Sequence, residues 1–159
     1  MSAADTYVVF LLGGAAYGLR SSDVLHVEML DHITPVPNTA PSVEGVVFSR
    51  GRVIPAINLR LRFGLPREEV TPRTRLIFLQ AQGRTVALIV DAAREFQRIP
   101  DEAIRPAGES LPGIAGRFVE GHAQVRDRSV LILDVGAVLR LEEIDPPLPA
   151  GLEPSSARA

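Results

Sequence analysis

The stretch Gly45–Phe63 reads GVVFSRGRVIPAINLRLRF, and its reading decides the fold. Val46, Val47 and Phe48 form a short β-branched and aromatic run, the composition of a strand. Arg50-Gly51 stands where a two-residue hairpin turn is needed, since glycine accepts a positive φ without steric cost. Val53 and Ile54 open the return strand, so Val46, Val47, Val53 and Ile54 are expected to be mostly buried. Pro55 has no amide hydrogen to give to a ladder and marks an edge position or a break. Asn58 suits the N-cap of a short helix carrying Leu59, Leu61 and Phe63, which Gly64 and Pro66 end. The expected unit is a β-hairpin with Arg50 at its tip, running into one or two helical turns.

Upstream of the hairpin, Tyr7–Leu12 is apolar throughout, as a strand covered on both faces would be. Gly13-Gly14 turns it and Ala15–Leu19 returns. Val24–Leu30 reads as a third strand. Pro35, Pro37 and Pro41 make the next segment an extended loop, with one helical turn expected at Pro41–Glu44. Downstream, Arg75–Leu79 and Thr85–Val90 flank a turn at Gly83, and Asp91–Ile99 continues as a strand. A last hairpin joins Ile114–Gln124 to Ser129–Leu133, and Asp134 caps a helix over Val135–Leu141. About nine or ten short strands with helices only as connectors argue for an all-β chain built as small barrels or a sandwich. Residues 6–141 are expected to form one domain. Residues 1–5 and the proline-bearing segment 142–159 are expected to be disordered, because neither carries apolar periodicity to offset the entropy of ordering.

Composition narrows the function. At 159 residues and 46% hydrophobic content the chain can bury a real core. A net charge of −2 lacks the basic footprint of a nucleic-acid binder. Cysteine is absent, which excludes disulfides and thiolate metal sites. No apolar run approaches the roughly 20 residues of a membrane helix, and no signal peptide is visible. A cytoplasmic location is expected.

Catalytic parts are missing from the motif inventory. His26, His32 and His122 do not fall at metal-ligand spacing on a helix, and no Walker loop, Gly-x-Gly-x-x-Gly or Gly-x-Ser-x-Gly occurs. Asp91 and Asp134 each follow an apolar strand, where capping is the plainer role. No enzyme activity, no cofactor and no metal are expected. Arg50, Arg52, Arg60 and Arg62 cluster in the hairpin and its helix. They read either as solvated surface or as interface anchors, because arginine is enriched at binding hot spots.

Pro37-Asn38 followed by Gly45–Arg60 resembles the signature of CheW-like domains, chemotaxis adaptors whose pattern runs Gly-Val-x-Asn-x-Arg-Gly, then Pro and Asp-Leu. Tyr7–Leu19, Leu88–Asp91 and Gly116–Asp134 resemble further family segments in the family's order. Departures are Phe48-Ser49 for Asn-Leu, Asn58 for Asp, Ala87 for Gly and His26 for an acidic residue. The resemblance implies two interlocked five-stranded SH3-like β-barrels, one from about 21–63 and the other from 7–19 with 73–141. It implies a non-catalytic adaptor that couples the cytoplasmic tip of a methyl-accepting chemoreceptor to the regulatory domain of a CheA-type histidine kinase. Other CheW-like domains are further expected partners, and location at receptor arrays follows from the same resemblance. Val24, His26, Gly45, Arg50, Gly51 and Asn58 fall in its partner-facing regions and are the candidate binding residues. The alternative is a small-molecule-binding or enzymatic β-barrel sharing only the hairpin pattern, which a pocket with convergent polar groups would favour.

Overall fold

The computed structural model describes residues 4–107 and 117–140. Eleven strands are described: β1 (Ala4–Leu12), β2 (Ala15–Arg20), β3 (Val24–Met29), β4 (Val43–Ser49), β5 (Arg52–Asn58), β6 (Arg75–Ala81), β7 (Arg84–Val90), β8 (Ala92–Pro100), β9 (Arg105–Pro106), β10 (Val119–Val125) and β11 (Arg128–Leu133). Two one-turn helices, α1 (Leu59–Arg62) and α2 (Val135–Val138), complete the described elements apart from two short 3-10 turns.

The strands form two sheets. One runs β8-β1-β2-β11-β10-β9 and the other β3-β6-β7-β5-β4. The second sheet is therefore made by the continuous segment from Val24 to Val90, inserted between β2 and β8 of the first. This corrects the expected division at Phe63. β6 and β7 were expected with β1 and β2, yet β6 pairs with β3 and β7 pairs in parallel with β5 through Ala56↔Ala87. The chain returns to the first sheet at Asp91, between β7 and β8.

Each sheet curls around its own core. Tyr7, Val9, Ala16, Ile99, Ala123, Val130 and Ile132 fill the first. Val47, Ile54, Ala56, Leu76, Phe78 and Ala87 fill the second. A third and larger core lies between the sheets and draws on both, with Phe10, Tyr17, Ile57, Phe63, Leu88 and Phe118 among its members. β1 belongs to two cores at once, Tyr7 and Val9 facing one and Val8, Phe10 and Leu12 the other. Successive side chains of a strand point to opposite faces, so an unbroken apolar run needs both faces covered. That is how the run Tyr7–Leu12 is covered on both faces.

Four tight turns share one device. Gly13-Gly14, Arg50-Gly51, Gln82-Gly83 and Arg126-Asp127 all have positive φ at both positions. Each links the last paired residues of a two-strand hairpin, as Ser49↔Arg52 does around Arg50-Gly51. Positive φ at both central residues is the geometry whose twist matches right-handed strands.

Some local expectations change. Ala4 and Asp5 are not frayed: they pair with Pro100 and Ile99, and Asp5 accepts a 2.9 Å hydrogen bond from Arg20. Pro41–Glu44 forms no helix, because β4 already starts at Val43. Val53 is 60% exposed, against the expected burial, because its strand neighbour Ile54 takes the inward position. The N-caps are as expected. Asn58 Oδ1 accepts from Leu61 N–H at 3.1 Å and Asp134 Oδ1 from Ala137 N–H at 3.2 Å. The segment 142–159, with Leu141 and the start of the last expected hairpin, lies outside the described residues.

The two sheets are latched where the chain crosses between them. Arg60 of α1 makes a fork onto Asp91, Nε to Oδ1 and Nη2 to Oδ2, both at 2.8 Å. The Gly13 N–H of the β1–β2 turn donates to the same Oδ2 at 2.9 Å. Burial raises the Asp91 pKa, but the Arg60 hydrogen bonds, the Gly13 N–H and the Arg60 charge outweigh it and hold the carboxyl below its ordinary value. A carboxyl whose folded pKa is depressed contributes stability above its unfolded pKa, and that contribution is lost as pH falls through the folded pKa. Asp91→Ala is accordingly expected to cost about 2 kcal/mol at neutral pH. Its deficit against the parent chain should shrink in acid, below the ordinary carboxylate range. Urea melts at neutral and acidic pH check this; a deficit that stays constant with pH contradicts the latch.

Candidate protein-binding site

The site is built on the β4–β5 hairpin. In β4, Gly45 is buried and the side chains of Val47 and Ser49 point inward, while those of Val46 and Phe48 point out. In β5, Val53 and Pro55 share that outer face. Val46↔Pro55 and Phe48↔Val53 are cross-strand neighbours. Phe48 is 68% exposed and Val53 60%. The outer face of the hairpin is therefore an apolar strip two pairs long, next to the exposed arginines Arg50 and Arg52 at the tip.

The six candidate residues separate into two groups. His26, Arg50 and Gly51 gather at the tip end. The His26 ring stacks on Phe78 with centroids 4.3 Å apart, and its Nε2 lies 2.6 Å from Glu28 Oε2. Ser49 donates to that same carboxylate oxygen at 2.9 Å, tying β3 to β4. Leu25, His26, Ser49, Arg50, Arg52, Ile54 and Thr85 border one depression beside the turn.

Val24, Gly45 and Asn58 do structural work. Val24 is half-buried against the central core. Gly45 sits at the β4 bulge with φ +149, and a Cβ there would lie 2.1 Å from the Thr34 carbonyl oxygen. Asn58 is 7% exposed, caps α1 with its oxygen and donates its Nδ2 to Glu44 at 2.7 Å. Glu44 also pairs with Arg67.

The four arginines of the cluster divide in the same way. Arg60 is held by Asp91. Arg62 packs over the Phe118 ring at 4.9 Å and donates to the Val138 and Ala137 carbonyl oxygens at 2.9 and 3.1 Å, closing the end of α2. Both are internal staples. Arg50 and Arg52 are exposed and bond to nothing among the described residues. Phe48 is the residue that sequence reasoning passed over. Its signal was the period-two pattern itself, because Val47 and Phe48 cannot both face one core.

Residues 6–143 match the family model described as the CheW-like domain. The chain belongs to the CheW-like family. A chemotaxis protein CheW from Bacillus subtilis is 30% identical over 145 residues, covering 91% of this chain and 93% of the relative. One from Klebsiella aerogenes is 28% identical over 138 residues, covering 87% and 83%. The crystal structure of the scaffolding protein TtCheW from Thermoanaerobacter tengcongensis superposes with a TM-score of 0.81 at 31% identity, covering 90% of this chain and 96% of that one.

These likenesses run far beyond the hairpin, so a β-barrel enzyme sharing only that motif is not supported. As a CheW-like domain the chain is a non-catalytic chemotaxis adaptor with the two-barrel fold of its family. Among the described residues no helix is long and apolar enough to cross a membrane, and no three His, Asp or Glu side chains gather as a metal site.

Proposed function

We propose that this CheW-like domain couples a chemoreceptor to a CheA-type histidine kinase, with the kinase regulatory domain seated on the β4–β5 hairpin. The observation that carries this reading is the outward strip Val46, Phe48, Val53 and Pro55, beside Arg50 and Arg52. Apolar surface exposed in a contiguous patch with a polar rim is the anatomy of a protein interface. A partner with a CheW-like fold of its own would bring an equivalent sheet to it, so other CheW-like domains compete for the same face. The receptor's helical tip lies across the junction of the sheets. A cleft of about 540 Å³ opens there between Leu11, Gly14 and Asp91 on one side and the 68–74 connection on the other. Such an adaptor works on the cytoplasmic side of the membrane, at receptor arrays. The direct test is a pulldown with the tagged chain from its native cell. Recovery of a CheA-type kinase together with a receptor supports coupling; recovery of neither removes it.

Arg50 is the rim residue with the clearest expectation. Arg50→Ala should leave the melting temperature within a degree or two, because the side chain is exposed at a turn. It should weaken kinase or receptor binding by roughly 1–3 kcal/mol. Arg50→Lys should recover only part, since a point charge does not replace a planar fork of donors. Titration calorimetry beside thermal melts separates the terms. Unchanged binding at unchanged stability would make Arg50 a solvated residue only.

A further inference from the structure

β3 and β4 stand at the two ends of the pairing order of the second sheet, and among the described residues no ladder joins them. The sheet curls so that the two strands meet at a seam, which the Glu28 side chain of β3 spans. Glu28 Oε2 accepts from the Ser49 hydroxyl of β4 at 2.9 Å. The same oxygen meets His26 Nε2 at 2.6 Å, and the His26 ring is stacked on the buried Phe78. A carboxylate oxygen only accepts, so both bonds converge on it.

The hairpin depends on this tie for its outer half. β5 pairs with β7 at Ala56, Ile57 and Asn58, and residues 52–55 run beyond that ladder. The bridge from Thr34 holds β4 at Val46. Residues 48–53 therefore project as an arm past both attachments. Among the described residues, the Ser49–Glu28 bond is the hydrogen bond that ties this arm to another element. The arm carries Phe48 and Val53, half of the outward strip, together with Arg50 and Arg52. A two-stranded ribbon has little stability of its own, so what anchors it sets its pose. Ser49 and His26 are also two of the departures from the family pattern, and they meet on one carboxylate.

We infer that Glu28 is a positioning residue for docking on the hairpin. It acts from behind the docking face, because Ser49 points inward. Through Ser49 it holds the arm so that Phe48 and Val53 continue the surface begun by Val46 and Pro55. The inference rests on the coupling role proposed above.

Ser49→Ala, Glu28→Ala and the double variant test it, compared with the parent by amide 15N relaxation and by titration with the regulatory domain of a CheA-type kinase. Order parameters of residues 48–53 should fall in all three variants, while those of residues 56–58 hold. Each variant should bind the kinase domain about tenfold more weakly. The double variant should bind no more weakly than either single one, because all three remove the same bond. Ser49→Thr restores the hydroxyl and should bind within about twofold of the parent. Asp134→Ala removes the α2 cap and serves as the stability control. It should melt below the parent yet leave the arm and the binding unchanged. An arm as rigid in Ser49→Ala as in the parent, losses that add in the double variant, or an equal loss from Asp134→Ala would overturn the inference. If the parent binds and the variants bind equally well, the positioning role falls and coupling stands. If the parent itself binds no kinase domain, the coupling role falls and the docking role of Glu28 falls with it.

Discussion

Gly45→Ala should cost the domain at least about 3 kcal/mol and lower its melting temperature by about 10 °C. The reason is geometric. A Cβ at this position would stand 2.1 Å from the Thr34 carbonyl oxygen, 2.8 Å from its carbon and 2.9 Å from Pro35 Cα. All three are backbone atoms, so no side chain can swing aside. The Thr34 backbone is pinned as well, since it exchanges two 2.9 Å hydrogen bonds with Val46. A backbone φ of +149 adds conformational strain for any residue with a Cβ. Gly51→Ala is the control. Its φ is also positive, at +76, but a Cβ there meets nothing within 4 Å, so it should lose only about 1–2 kcal/mol. Urea melts of both variants measure the difference. Equal losses would mean that the bulge relaxes and that Gly45 holds no close approach.

Phe48→Asp should leave the fold within about 0.5 kcal/mol of the parent and weaken kinase binding by at least about 100-fold. Phe48 is 68% exposed, so its removal takes little from any core. Its ring stands across from Val53 on the outer strip, where an aromatic anchor contributes most if a partner closes over it. Aspartate there would bury a charge against apolar surface, which is costly without a paired group. Phe96 gives the specificity control. It is equally bare at 66% exposure but lies on β8 of the other sheet. Phe96→Asp should leave hairpin binding within about twofold. A similar loss from both variants would point to general stickiness instead of a defined face.

The hairpin was legible because its chemistry is local. Arg50-Gly51 supplies the turn, Asn58 the cap and Gly64 with Pro66 the stop. The barrel boundary was not legible. It depends on the parallel pairings of β5 with β7 and of β11 with β2, which join residues remote in sequence and leave no periodic trace. The family resemblance carried the two-barrel architecture but placed its division at Phe63, where the second sheet in fact continues to Val90. Among site residues, Arg50 was found by its position at a turn. Arg60 and Arg62 looked identical in sequence and turned out to be staples, because their partners Asp91 and the α2 carbonyls come from other segments.

The coupling role is tested most directly by reconstitution. Receptor-containing vesicles are mixed with a CheA-type kinase and sedimented, with and without the purified chain. Kinase in the pellet should rise with added chain until it saturates, and the Phe48→Asp variant, shown folded by its melt, should fail to raise it. Kinase that sediments equally without the chain, or equally with Phe48→Asp, would contradict the account.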